Sequence, residues 1–433
     1  MREHRVVRRF LDRLLPPTPV ARRLALQSLL FATAQGAFNT GSAVFFTEVV
    51  GLTASKVGLG LTIAGVAAFS VAYPAGRLVD RVGPKKMWAA GTLASAAAFA
   101  FWPWVRGFAA FVALSVSFEI VQNAGGAGYN AYILDVLPEQ ERIETQAHLY
   151  SALNVGFTLG AMISGVALAF HNVEVIRWVP MLSVAVGAVN ALAVTRLPKA
   201  PHDLRAAARE RRIEEHAATP APIKNRGWIA TSLFTGILWT NQALLTVVIP
   251  LWLVQRTDAP HWVLAWLFGT NTVLCIFLPT FTARGVRTIN DALRRARYST
   301  AFFVLACVIT LFSHSTVGFL TALLVWLGHV AVTGAELAIG SSNWAFQARL
   351  MDPNRRGEYG GLSEVARTIS TFGAPAAYTF LVMHAGDAGW LAIAGIGIIG
   401  SLGLHPSARA AERFAAQHFD IPLRGDAELA PGV

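Results

Sequence analysis

Apolar residues along this chain are not spaced for one face of a helix or for alternate positions of a strand. They fill whole stretches, separated by short polar segments. Twelve stretches stand out: 24–50, 57–75, 87–105, 108–132, 149–170 and 178–194, then 228–253, 262–282, 298–312, 317–346, 369–383 and 389–404. A hydrocarbon core about 30 Å thick takes roughly 20 helical residues to cross, so each stretch predicts a membrane helix. Lipid cannot satisfy an open backbone, and the ten-residue alternation of a membrane barrel is absent. The pattern therefore predicts an all-α membrane protein with twelve transmembrane helices.

Composition agrees. Of 433 residues, 54% are hydrophobic and 14% charged, where soluble proteins carry roughly a quarter charged. A soluble enzyme or a secreted disulfide scaffold is excluded. Cys275 and Cys307 lie inside apolar stretches and read as free, hydrophobic thiols. The net charge of +11 raises nucleic acid as a partner, but no basic-aromatic binding module accompanies it. Of the 36 Lys and Arg, only Lys56, Arg106, Arg177 and Arg256 fall in one set of alternate loops. By the positive-inside rule the other loops and both termini are cytoplasmic, as for a protein of a bacterial-type inner membrane.

The polar segments divide the chain further. Residues 1–23 form a basic tail, expected to lie cytoplasmic and able to form a short amphipathic surface helix. Residues 197–227 make the longest loop, whose centre (203–217) is rich in helix formers. They separate a first six-helix bundle, 24–196, from a second, 228–404, and 405–433 is a second cytoplasmic tail. After the fourth stretch the chain carries Arg142 and Glu144, and after the tenth Arg356 and Glu358. Such an internal repeat predicts two pseudo-symmetric bundles, with a small-molecule site where they meet.

Charges inside a bilayer cost roughly 2.5–3.5 kcal/mol each and are functional candidates by default. Glu119 falls near the middle of the fourth stretch, Glu336 in the corresponding tenth. Glu119, Gln122, Gly126 and Asn130 share one helical face, as do Glu336, Gly340, Asn343 and Gln347. Carboxyl groups taken out of water ionise less readily, which brings proton exchange within reach. Glu119 and Glu336 are therefore the proton-coupling candidates. The plainer reading is that they accept hydrogen bonds from neighbouring helices. Gln35, Asn39, Gln122, Trp239, Asn241 and Asn343 are the substrate-cavity candidates, and Trp102, Trp104, Trp178 and Trp262 are expected as interface anchors. His329 reads as a hydrogen-bonded packing residue.

Between the second and third stretches the chain reads Gly76-Arg77-Leu78-Val79-Asp80-Arg81-Val82-Gly83-Pro84-Lys85-Lys86. This resembles the loop signature of the major facilitator superfamily. The resemblance implies two six-helix bundles working by alternating access, with Gly76, Asp80, Arg81, Gly83 and Lys85 as a conformational latch. The fifth stretch holds Gly156, Gly160, Ala161, Ser164 and Gly165, similar to the glycine signature of drug antiporters, with Ala161 at the expected proline and Ser164 at one glycine. Small residues so spaced let helices touch, which makes Gly156, Gly160 and Gly165 the helix-packing motif. Glu119 stands where proton-coupled members usually carry arginine, so the relay differs from theirs.

No phosphate-binding loop, metal-ligand cluster or nucleophile elbow occurs, so neither an enzyme nor a cofactor or metal site is expected. The favoured function is export of a small amphipathic or hydrophobic compound by proton antiport, acting as a monomer. Uptake of a small solute such as a sugar is the alternative. A non-transporting sensor or scaffold is a minor one.

Overall fold

The computed structural model describes residues 16–170, 172–199, 201 and 219–419. The expected surface helices of the basic tail and the central loop fall outside the described residues, apart from the tail's last few positions. Residues 420–433 of the second tail also fall outside.

Helix α1 (Pro19–Val44) starts where the Thr18 hydroxyl accepts from the Ala21 amide, with proline at its first position. Both are favoured at a helix start. It continues as one π-helical turn, Phe45–Val49. Then follow α2 (Ala54–Val82), α3 (Pro84–Phe101), α4 (Gly107–Val136), α5 (Arg142–Ala169) and α6 (Val173–Thr195). After the loop come α7 (Arg226–Arg256), which contains a second π-helical turn at Leu244–Val248, and α8 (Val263–Phe277). The chain ends in α9 (Pro279–Ala283), α10 (Ile289–Phe312), α11 (Phe319–Leu350), α12 (Arg356–Ala385) and α13 (Asp387–His418).

Among the described residues there is no strand. Among the described residues, eight helices are long and apolar enough to cross a membrane by length and composition: α2, α4, α5, α6, α7, α10, α11 and α13. Their outer faces carry large apolar side chains such as Phe170, Val166 and Leu402, each more than half exposed. Such surface would be a liability in water and is ordinary against lipid. This is a multi-pass membrane protein.

The helices depart from the apolar stretches in instructive places. Where the pattern predicts one helix over 262–282, the structure makes two, broken at Leu278. Pro279 has no N–H to continue the ladder. Helix α13 runs on to His418, well into the expected tail at 405–433. Trp102, expected at the membrane interface, is only 2% exposed and packs with Phe38, Phe46 and Phe111. The π turn beside it brings Phe45 and Phe46 into that cluster. Trp104, Trp178 and Trp262 are exposed, as anchors would be. Trp102→Ala is expected to cost about 3–5 kcal/mol, the range for emptying a buried aromatic position, read as a lowered unfolding midpoint in detergent.

The described residues pack into two compact units, one from Met1–Asp203 with Phe268–Arg284, the other from Leu204–Leu267 with Gly285–Val433. In the first unit, α1 and α5 lie almost backbone to backbone. A Cβ on Gly156 would sit 2.3 Å from the Leu29 carbonyl oxygen, and one on Gly160 2.2 Å from that of Thr33. Gly165 plays no such part, since a Cβ there meets nothing within 4 Å. Positions 156, 160 and 164 share a helical face, and 165 is turned off it. Ser164 fills that place, its Oγ against Gly41.

In the second unit the largest buried cluster gathers around the π turn of α7, with Trp252, Phe303, Tyr378 and Trp390. Within it the His329 ring faces the Leu245 carbonyl at 3.3 Å. Cys307 is buried in this core and Cys275 in the first unit, neither in a disulfide.

Candidate functional site

Three helices of the first unit line an open cavity of about 440 Å³, within the ~300–1,000 Å³ usual for small-molecule sites. From α1 come Phe31, Ala32, Gln35 and Asn39; from α4, Phe118, Glu119 and Gln122; from α5, Tyr150, Leu153, Asn154 and Phe157. Each set recurs at three- and four-residue spacing, so each helix turns one face to the space. Glu119 is the one charged residue among those described along the lining.

Hydrogen bonds fix part of this lining. The buried Ser95 hydroxyl on α3 donates to Gln122 Oε1 at 3.0 Å. Asn154 Nδ2 donates to the Tyr150 carbonyl at 3.0 Å. The close seam between α1 and α5, at Gly36, Gly156 and Gly160, holds two of the three walls together.

Four of the residues singled out in the sequence thus meet: Gln35, Asn39, Glu119 and Gln122. Gly126 and Asn130, on the same stripe of α4, are not part of the lining. Sequence reasoning missed Tyr150, Asn154 and Phe157. Their signal was present: 150, 153, 154 and 157 form one helical face, overlaid by the glycine spacing of the same segment.

Glu336, Trp239, Asn241 and Asn343 belong to the second unit. Glu336 is buried at 6% exposure, Asn343 and Trp239 are half-buried, and Trp239 approaches Gly340 on α11. Asn241, also named as a cavity candidate, is wholly buried. The Thr240 hydroxyl pairs with the Tyr378 hydroxyl at 2.8 Å.

The glycine-and-charge motif, expected as a loop, instead forms the last turns of α2 and the first turn of α3, with Gly83 alone between them. Gly76 is buried and Arg81 exposed. Gly83 ends α2 with φ +102°, and its N–H closes the helix on the Val79 carbonyl at 2.9 Å. A side chain at that φ is strained. Pro84 then opens α3. Lys85 Nζ donates to the Thr195 carbonyl at 2.8 Å and to that of Leu197. It thereby neutralises the negative end of α6, while Tyr132 Oη donates to the Pro198 carbonyl beside it. Lys85→Met is expected to cost about 1–2 kcal/mol, measured as a lower thermal midpoint in detergent and earlier proteolysis after Leu197.

No group of three or more His, Cys, Asp or Glu placed to hold a metal occurs among the described residues. Long lipid-facing helices around a half-polar cavity define a membrane protein that handles a small molecule. The profile of the Major Facilitator Superfamily matches residues 24–375, and the chain belongs to that family. It is a transporter, not an enzyme.

Solved structures share the fold. The human organic anion transporter MFSD10 (TETRAN) is 18% identical over 89% of this chain and 100% of its own, with a TM-score of 0.62. A bacterial homologue of the iron transporter ferroportin, outward-facing with soaked iron, is 12% identical over 92% and 100%, with a TM-score of 0.67. The proton:xylose symporter XylE, bound to 6-bromo-6-deoxy-D-glucose, is 12% identical over 92% and 98%, with a TM-score of 0.70. No curated protein matches the sequence.

Proposed function

We propose that the protein exports a small amphipathic or hydrophobic compound in exchange for protons, crossing a bacterial-type inner membrane twelve times with both termini cytoplasmic. In this reading α8 and α9 count as one crossing, and the monomer carries the full cycle. The two six-helix bundles, 24–196 and 228–404, alternate access, and the segment from Gly76 to Lys85 latches one conformation. Glu119 exchanges the proton, with Glu336 as its counterpart in the second bundle.

The observation that carries this reading is the cavity itself. Aromatic rings at Phe31, Phe118, Tyr150 and Phe157 suit an apolar cargo, and one carboxylate lies among them. A sugar cargo is the second reading, supported by the amides of Gln35, Asn39, Gln122 and Asn154 along the same walls. Proteoliposomes carrying an imposed proton gradient separate the two. Gradient-driven extrusion of a dye such as ethidium supports export. Sugar uptake without dye movement would replace it.

A further inference from the structure

Helix α10 carries more positive charge in its first turns than its own acids balance. Arg294 and Arg297 are exposed and stand three residues apart, on one face of the helix. Elsewhere an arginine finds a carboxylate at that spacing. Arg177 has Glu174, Arg355 has Glu358, Arg367 has Glu364 and Arg409 has Glu412. For Arg297 the residues three and four positions away are Leu293, Arg294, Thr300 and Ala301. Like charges so spaced repel, and the pair weakens the helix unless an anion lies between them.

The acids beside this pair are already engaged. Asp291 Oδ2 accepts from the Arg287 and Thr288 amides at 3.2 and 3.0 Å, and from the Thr288 hydroxyl at 2.7 Å. These bonds make the cap that starts α10. Helix α13 packs along α10, with Gly397 against Phe303 and Arg409 bonded to Asn290. Its acid at this end, Glu412, accepts from Arg409 at 2.6 Å.

The face that bears the arginines continues as Tyr298, Ala301, Leu305, Val308 and Phe312, at three- and four-residue steps. All five are exposed. Two cations, then a tyrosine of the kind that sits at a membrane interface, then an apolar strip follow the order of a phospholipid: phosphate, glycerol ester, acyl chain.

We propose that this face of α10 seats a phospholipid of net negative charge, its phosphodiester bridging Arg294 and Arg297. One acyl chain lies along Leu305, Val308 and Phe312. The guanidinium donors match phosphate oxygens. A zwitterionic headgroup would bring a further cation beside the two arginines, while Asp291 and Glu412 are engaged. The inference needs only that α10 crosses a bilayer, and holds for any cargo or coupling.

The test is native mass spectrometry of the purified full chain in mild detergent, titrated with dioleoylphosphatidylglycerol or dioleoylphosphatidylcholine. The phosphatidylglycerol is expected to bind about tenfold or more tighter. Arg294→Gln combined with Arg297→Gln should weaken it about fivefold per charge removed, about twenty-five-fold together. Phosphatidylcholine binding should not change. Arg23→Gln combined with Arg196→Gln removes the same charge from exposed positions of the first unit. That control should shift phosphatidylglycerol by less than about twofold, since distant surface charges are screened. Thermal midpoints without added lipid verify that each variant folds.

Equal affinity for the two lipids overturns the selectivity. Equal weakening by the two double variants overturns the site, because total charge would then explain the binding. Excess inorganic phosphate should leave the phosphatidylglycerol in place. Displacement by phosphate assigns the arginines to a free anion and overturns the lipid.

Discussion

Glu119→Gln is expected to bring gradient-driven transport down to the level of empty liposomes while the protein still folds. Glutamine keeps the size and hydrogen-bonding reach of the side chain and removes only its ability to carry a proton and a negative charge. The position is half-buried on α4 and borders the cavity, where a carboxylate costs enough that an idle one is not expected. Glu119→Asp keeps the charge at a shorter reach and should retain a measurable share of the flux. The measurement is substrate flux in proteoliposomes against an imposed pH difference, with the thermal midpoint as the folding control. Full flux from Glu119→Gln, with the pH dependence of the wild type, would sink the coupling role.

The largest effect on stability is expected at the seam between α1 and α5. Gly160→Leu puts a branched side chain where even a Cβ would lie 2.2 Å from the Thr33 carbonyl oxygen and 2.5 Å from the Ala37 nitrogen. Both obstacles are backbone and cannot swing aside, so the helices must part. Overpacking in a well-packed core costs about 1–3 kcal/mol even where side chains can adjust. Here the loss should exceed that and abolish recovery of monodisperse protein. Gly165→Leu is the matched control, five residues along and open, and should purify as the wild type does. Size-exclusion profiles and unfolding midpoints decide, and similar behaviour of the two variants would refute the seam.

What the sequence disclosed and what it hid divide along physical lines. Apolar length reports the lipid-embedded part of a helix and is blind to polar turns that project beyond it. Helix α10 starts at Ile289, although the apolar stretch begins nine residues later. Its true start is a reciprocal cap between Thr288 and Asp291, a signal in the side chains rather than in hydropathy. Helix α12 likewise starts at Arg356, its first turns bearing Glu358, Glu364 and Arg367, the last two ion-paired.

The cavity shows the same division. Glu119 was legible because a charge amid apolar residues is conspicuous. Tyr150 and Asn154 were not, because either residue type alone is unremarkable and only the meeting of three helices gives them a common space. Ser95 could not be read at all, since its part depends on a contact across 27 positions of chain.

The glycine seam has one more consequence. Gln35 and Asn39 on α1, and Tyr150, Asn154 and Phe157 on α5, are mounted on what is mechanically a single strut, so the spacing among them is fixed. Helix α4 supplies the third wall. It meets α3 through its own glycine contact, Gly91 on Gly125, and carries Phe118, Glu119 and Gln122 toward the strut. Cargo preference should therefore be retuned most economically by changing three positions on one helix, and random variants selected for a new cargo should cluster there.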